Sequence, residues 1–248
     1  MNIALVGTGR MGQAVEALAG ERGHEIVARF NASNPLLEAD TVAALNGADV
    51  VIDFSLPDLG AAHIERYCAW NRPAVIGTTG WYDALDRVRA WVAEREAAVL
   101  YAPNFSLGVA LLARALHGLV PLLEHLPEYD VALHEAHHTG KVDSPSGTAL
   151  LLADVLLDGL SRKTRLDAET QHRRIDPEAL HVTSTRLGHV VGMHTVYLDS
   201  PFDEITLAHQ AKNRQGFAFG ALKAAEWLPG RQGLFTLDDL LADWLPEA

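Results

Sequence analysis

The stretch Ile3-Ala4-Leu5-Val6-Gly7-Thr8-Gly9-Arg10-Met11-Gly12 constrains the fold of this chain more than any other. A short apolar run closed by glycine is the pattern of a strand buried on both faces, as in a parallel sheet. G-x-G-x-x-G follows directly, and Met11, Val15, Leu18 and Ala19 then recur at helical spacing until Gly20 and Gly23 stop them. In a strand–turn–helix unit the first glycine permits the tight turn. The second lets backbone approach a pyrophosphate, and the third lets the helix pack close on the strand. The helix start also offers unpaired N–H groups to an anion. Gly7, Thr8, Gly9, Arg10, Met11 and Gly12 are therefore candidate cofactor-binding residues. A turn needing glycine only for packing is the competing explanation.

The same rhythm continues through the first hundred residues. Strands are expected at 24–30, 49–54, 74–76 and 98–101, and helices at 59–70 and about 82–97. That alternation predicts an α/β fold with a doubly wound, Rossmann-type parallel sheet. At the end of the second strand a dinucleotide site usually carries an acid for the ribose hydroxyls. Here the position holds Asn31, which can hydrogen-bond a ribose or merely cap a turn, and brings no charge to repel a 2′-phosphate. NADH and NADPH both remain open.

Beyond Asn104 the pattern changes. It gives a long apolar helix at 107–123, a strand at 129–135, a broken loop at 137–147 and a helix at 148–160. Residues 161–176 read as an exposed connection. Strand-like runs at 181–186, 190–199 and 203–209 follow, then helical spacing at 217–227. This composition predicts a second, α+β domain with an open mixed sheet.

Charge narrows the function classes. Against 32 acidic residues stand 20 Lys and Arg, a formal charge of −12, which argues against a nucleic-acid or anionic-membrane binder. The lone Cys68 excludes an intramolecular disulfide and a cysteine-cluster metal site. No apolar stretch is expected to reach the ~20 residues of a membrane span before charge or glycine breaks it. No charged leader precedes the first strand, so a cytoplasmic location is expected.

The chemistry concentrates in Glu135-Ala136-His137-His138-Thr139-Gly140-Lys141-Val142-Asp143-Ser144-Pro145-Ser146-Gly147-Thr148. Two histidines and a lysine lie within five residues, beside a helix start where Ser146 suits the N-cap. Gly147 and Thr148 would present free N–H groups at that helix's positive end. An acidic protein that binds an anion must concentrate positive potential locally, and a carboxylate-bearing substrate is the natural guest. Histidine moves protons near neutrality and lysine stabilises developing negative charge. Metal binding by the pair and a merely polar surface are the alternatives. Adjacent residues on an extended segment point apart, which counts against a metal. His24, His63 and His172, each isolated, are expected in surface or structural roles.

With these motifs stand Ile52-Asp53-Phe54-Ser55, Gly77-Thr78-Thr79-Gly80, Ala102-Pro103-Asn104-Phe105-Ser106 with Gly108-Val109, and Arg186-Leu187-Gly188 with Gly192-Met193-His194. Together they resemble the 4-hydroxy-tetrahydrodipicolinate reductase (dihydrodipicolinate reductase) family over nearly the whole length. The resemblance implies NADH- or NADPH-dependent reduction of a small cyclic dicarboxylate, 4-hydroxy-tetrahydrodipicolinate, in the diaminopimelate route to lysine. It implies a homotetramer, with residues 1–106 and 215–248 as the nucleotide-binding domain and 107–214 as the substrate-binding and oligomerisation domain. His137 would be the general acid/base and Lys141 its partner. His138, Ser146, Gly147 and Thr148 would hold the substrate. Gly77, Thr78 and Thr79 would lie along the cofactor, with Ala102, Pro103, Asn104 and Phe105 near the nicotinamide at a hinge. Four departures from the family pattern stand out: Asn31 with Ala32, Ser144, Ala110 and Trp81. A two-domain reductase of another small carboxylate and a non-catalytic nicotinamide sensor are the rival readings.

Overall fold

Every strand at the centre of the first sheet is apolar on both faces, and that composition sets its architecture. The computed structural model describes residues 1–245. β1 (Asn2–Val6) passes through the glycine turn into α1 (Arg10–Glu21) and β2 (Glu25–Phe30). β3 (Val50–Asp53), α2 (Gly60–Ala69), β4 (Ala74–Ile76), α3 (Leu85–Glu94) and β5 (Ala98–Tyr101) follow. β11 (Gly233–Phe235) completes a parallel sheet ordered β11-β5-β4-β3-β1-β2. Val50, Val51, Ile52, Ala74, Val75 and Ile76 are all fully buried, as strands covered by helices on both faces must be. The strand order reverses at β1, so the carboxyl ends of β1 and β3 flank the crevice where open α/β sheets bind ligands.

A second sheet, ordered β10-β9-β6-β8-β7, is built from β6 (Asp130–His137), β7 (Arg165–Asp167), β8 (Ala179–Arg186), β9 (Met193–Asp199) and β10 (Glu204–Gln210). β8 runs parallel to β6 and β7, whereas β9 is antiparallel to β6 and β10, so the sheet is mixed. α4 (Leu107–Glu124) and α5 (Gly147–Gly159) bury Leu112, Leu116, Val120, Leu152 and Leu156 against Val131, Leu133, Val182 and Val196. The chain forms two units, Gly108–Asn213 and Met1–Leu107 joined by the segment from Arg214 onward. α6 (Gln215–Trp227) and α7 (Leu237–Asp243) belong to the first of these in sequence.

Six local expectations change. Gly20 does not stop α1, which runs to Glu21, and Gly23 with φ +73° makes the turn. The helix expected at 82–97 is a 3-10 turn, Tyr82–Ala84, followed by α3, and Glu96 at φ +49° lies beyond its end. β6 extends through His137, so the first histidine sits on a strand and not on the loop. β7 forms within the stretch expected to be an exposed connection. β11 and α7 are additions to the expected elements; β11, with three residues, carries no periodicity and pairs along the edge of β5. α4 also exceeds expectation: its 18 residues have a mean hydropathy of 1.5, long and apolar enough by composition to cross a membrane, although Leu112, Leu116 and Val120 pack into the second unit's core.

The first unit is tied across its sequence ends by Glu226 on α6. Its carboxylate accepts from Arg22 Nη2 at 2.7 Å, His24 Nε2 at 2.9 Å and Lys223 Nζ at 3.0 Å. Burial acts to raise the Glu226 pKa, but these hydrogen bonds from His24, Arg22 and Lys223 outweigh it and hold the group at about 2, below the ordinary 4.5. A depressed carboxylate stabilises the fold above its unfolded pKa and loses that contribution as pH falls. Glu226→Gln is expected to lower urea stability at pH 7 by about 1 kcal/mol, a partly exposed network being worth little more. The gap from the unaltered protein should close as pH drops from 4.5 towards 2.

Candidate active site

The glycine turn shows which glycines answer to the protein and which leave room for something else. Gly7 has φ +88°, and a Cβ there would stand 2.3 Å from the Phe54 carbonyl oxygen. A Cβ on Gly12 would meet the Gly7 oxygen at 2.0 Å, so the third glycine is required by helix–strand contact. Gly9 differs: its Cβ would meet nothing within 4 Å. Gly9 is also the N-cap of α1 and has no side-chain cap, and no acidic residue sits in the first turn. Open space before an uncapped helix start fits the pyrophosphate of a nicotinamide dinucleotide. Thr8 is half-buried beside it, with Arg10 and Met11 as the first residues of the helix.

A buried carboxylate organises the neighbouring loops. Asp53, fully buried at the end of β3, accepts from Ser55 N at 2.8 Å and Thr78 Oγ1 at 3.0 Å through Oδ1. Its Oδ2 accepts from Tyr67 OH at 2.6 Å and His63 Nδ1 at 2.9 Å. Burial works against ionisation, yet His63 above all, with Tyr67 and Ser55, keeps the Asp53 pKa below the ordinary carboxylate value. His63 is thus structural, as expected of an isolated histidine. The Thr78 side chain is occupied by Asp53, so only its backbone is left to face a cofactor. Gly77 is required by Phe54, whose ring a Cβ would meet at 2.0 Å, while Thr79 is exposed. Further along, Ala102 and Phe105 are buried, Pro103 is exposed, and Asn104 Oδ1 accepts from Ser106 N at 2.8 Å.

Asn31 caps its own turn, one of the two roles the sequence allowed. Its Oδ1 caps the turn by accepting from Ser33 N at 2.9 Å and Asn34 N at 3.2 Å, and its Nδ2 donates to Thr8 Oγ1 at 3.4 Å. Arg29, the nearest strand cation, is held by Glu16 at 2.5 Å.

In the second unit the alternation of β6 places Val131, Leu133, Glu135 and His137 on one face, so the strand's end carries a carboxylate and an imidazole below the loop. Strand register sets Glu135 opposite Ser184 on β8 and His194 on β9, and His137 opposite Arg186. Glu135 is fully buried. Its Oε2 lies 2.5 Å from His137 Nδ1 and accepts from Arg186 Nη1 at 3.0 Å. Its Oε1 accepts from Arg186 Nη2 at 2.9 Å and Ser146 N at 3.3 Å. Burial acts to raise the Glu135 pKa, but hydrogen bonds from Arg186, Ser184 and His137 bring it down to about 2.

His137 Nε2 points at Gly192, where an added Cβ would stand 3.0 Å away. Desolvation lowers the His137 pKa, Glu135 opposes that, and the charges of Lys141 and Arg186 reinforce it. His194 lies edge-on to His137 at 5.1 Å between ring centroids, with Nε2 3.1 Å from Ser146 Oγ. Burial and then the His137 charge push the His194 pKa down to about 4. Lys141 Nζ stands 2.9 Å from Asp143 Oδ1. Ser146 is the N-cap of α5, accepting from Ala149 N at 3.2 Å, and Gly147 behind it is exposed with no atom in the place of a Cβ. His138 is half-buried, and its carbonyl accepts from Lys141 N at 3.1 Å. Thr148 is half-buried in the first turn of α5.

A family profile described as the N-terminus of dihydrodipicolinate reductase matches residues 1–105, and one described as its C-terminus matches residues 108–241. The chain belongs to the dihydrodipicolinate reductase family. It is 39% identical over 245 residues to the 4-hydroxy-tetrahydrodipicolinate reductase of Christiangramia forsetii, covering 98% of both chains. Identity to the protein of that name from Natronomonas pharaonis is 41%, over 96% of this chain and 99% of the relative. A solved dipicolinate-bound dihydrodipicolinate reductase from Paenisporosarcina sp. TG-14 shares the fold, with a TM-score of 0.77 at 21% identity over 95% and 97% of the two chains.

Within this family member, sequence reasoning missed three polar groups of the second unit: Glu135, Arg186 and His194 were quoted in motifs but given no role. The available signal was a glutamate on the buried face of an otherwise apolar strand. Its partners come from strands about fifty residues away, and only register reveals them. Gly9 carries the clearest prediction, because its Cβ position is open. Gly9→Ala should leave thermal stability nearly unchanged while weakening NADH and NADPH binding by about 10-fold or more, as an obstruction at close approach does. Fluorescence titration beside a melting curve tests this, and equal affinity with either cofactor would contradict the cradle.

Proposed function

We propose that this chain catalyses the NADH- or NADPH-dependent reduction of 4-hydroxy-tetrahydrodipicolinate to tetrahydrodipicolinate, in the diaminopimelate route to lysine. Family membership over the full length supports the reaction. The observation that carries the site is the imidazole of His137 at the end of β6, beside Lys141 and the start of α5.

A nicotinamide cofactor would supply the hydride, and the Gly7–Gly12 turn, with Asn31, Gly77, Thr78, Thr79 and Ala102 to Phe105, would hold that cofactor. Hydride arrival leaves negative charge on the conjugated imine, and the product needs one proton. In this reading His137 delivers that proton, and Lys141 stabilises the charge beside it. For Lys141 to do so its ammonium must turn from Asp143 or be shared with it. His138, Ser146 and the N–H groups of Gly147 and Thr148 hold the substrate carboxylates, whose charge suits a helix N-terminus. Water leaves the 4-hydroxy compound, so the balance is one hydride and one proton taken up and one water released.

A homotetramer is part of this proposal. His134, Thr183 and Tyr197 stand on the strands of the second sheet yet outside the cluster packed by α4 and α5, which supports an outer face open to other copies. A cytoplasmic location is likewise proposed, in keeping with biosynthetic relatives and the lone Cys68.

The test is a coupled assay in which a synthase makes the substrate from pyruvate and aspartate semialdehyde, with NADH and NADPH oxidation followed separately. His137→Ala should lower kcat by about 10²–10⁴-fold while leaving cofactor affinity unchanged. Cofactor binding without synthase-dependent oxidation would move the reading to another small carboxylate or to a sensor. A second expectation concerns pH. A general acid works while protonated, and His137 in the free protein titrates below its ordinary 6.5. The value of kcat/KM should therefore fall as pH rises through that lowered value. The corresponding limb of kcat should lie higher, because bound carboxylates favour the imidazolium.

A further inference from the structure

We propose that Glu135, clamped by Arg186, is the positioning residue that makes Nε2 the proton-delivering atom of His137. This rests on the reading of His137 as the acid, and goes beyond it by assigning the proton to one ring nitrogen and naming what puts it there.

The argument starts from the carboxylate. Glu135 has no exposure to water, and both of its oxygens are occupied by donors: Arg186 on each, Ser146 N on Oε1 and His137 Nδ1 on Oε2. The two parallel bonds from one guanidinium make a fork that fixes the carboxylate plane as well as its charge. An ionised carboxylate has no proton to give, so the short contact to His137 requires the hydrogen to sit on Nδ1. In neutral His137, Nε2 is then bare, and the proton that arrives for catalysis must bind there. That nitrogen is the one facing Gly192, whose missing side chain leaves it room.

The groups around the imidazole act in opposite senses. Glu135 on its own strand favours the protonated ring. Arg186 from β8 and Lys141 from the following loop disfavour it, and Lys141 is partly balanced by Asp143. His194 from β9 packs edge-on, beside His209 of β10, and burial keeps it from carrying a second positive charge at neutral pH. Among the described residues, Glu135 is thus the one group touching His137 that helps it hold a proton. Ser146 N bonds the same carboxylate, so the α5 start and the imidazole are indexed to one rigid point.

Glu135→Gln separates this role from packing, because the amide keeps the shape. Arg186 Nη2 and Ser146 N would retain the amide oxygen in the place of Oε1, while Arg186 Nη1 loses its acceptor and the NH₂ group, in the place of Oε2, faces His137. That group donates, so it would demand a bare Nδ1 and move the ring hydrogen to Nε2. The experiment uses protein carrying ¹⁵N-histidine, without ligands, with His137→Asn used to assign the signal. In the unaltered protein, neutral His137 should carry its hydrogen on Nδ1, and in Glu135→Gln on Nε2. The alkaline limb of kcat/KM should move to lower pH and kcat should fall by about 10²–10⁴-fold, the upper end being that of a catalytic histidine held in the wrong tautomer. Glu135→Asp, which keeps the charge, should recover part of the limb.

A hydrogen on Nε2 of neutral His137 in the unaltered protein would overturn the proposal, and this result stands even if Glu135→Gln fails to fold. An unchanged tautomer with an unchanged pH profile in the variant would overturn it too. A flipped tautomer with unchanged turnover would remove the positioning role. If His137→Ala also turns over normally, the assignment of the acid has failed, separately from the geometry of Glu135.

Discussion

A carboxylate removed from water persists only where its oxygens are saturated by donors, and that requirement shapes the functional end of each sheet. Asp53 closes β3 and Glu135 lies two residues before the end of β6, both fully buried. Around Asp53 the donors are Ser55 N, Thr78, Tyr67 and His63, which fastens the β3 and β4 turns to α2. Around Glu135 they are Arg186, Ser146 N and His137, which fastens the β8 end and the α5 start to the imidazole. Removing either charge would strand several buried donors at once, so these loops are held by networks and not by single contacts.

The second network is also a balance. Desolvation pulls protons off His137 and His194 alike, but only His137 touches the carboxylate. Two adjacent imidazoles in the same mostly buried pocket therefore differ in what they can do. The cations that would attract a dicarboxylate also oppose a protonated histidine, and Glu135 offsets that opposition without displacing them. In the first unit the glycine turn depends on a different use of space. Gly7 and Gly12 are filled against by neighbouring backbone, whereas Gly9 opens outward.

Much of this was legible along the chain. The strand–glycine–helix start, the alternation through residue 101, the mixed character of the second sheet and the N-cap at Ser146 follow from local periodicity and capping chemistry. Where local signals were weak or conflicting, the reading strayed. Gly20 looked like a stop but is tolerated inside α1, β7 was hidden in polar sequence, and β11 has too few residues to show a period. His-His-Thr-Gly reads as a loop, yet sheet pairing carries β6 through His137.

Sequence alone determined which backbone segments could bury both faces, where the chain had to turn, and which stretch gathered histidine, lysine and a helix start. These are properties of neighbours along the chain. Tertiary structure alone decided the partners of Glu135, since Arg186 reaches it only through the parallel register of β6 with β8. It likewise decided that the Thr78 side chain belongs to Asp53, and that Asn31 spends its oxygen on its own turn. Contacts between residues tens of positions apart are fixed by strand order and register, which are collective outcomes of packing that no local pattern encodes.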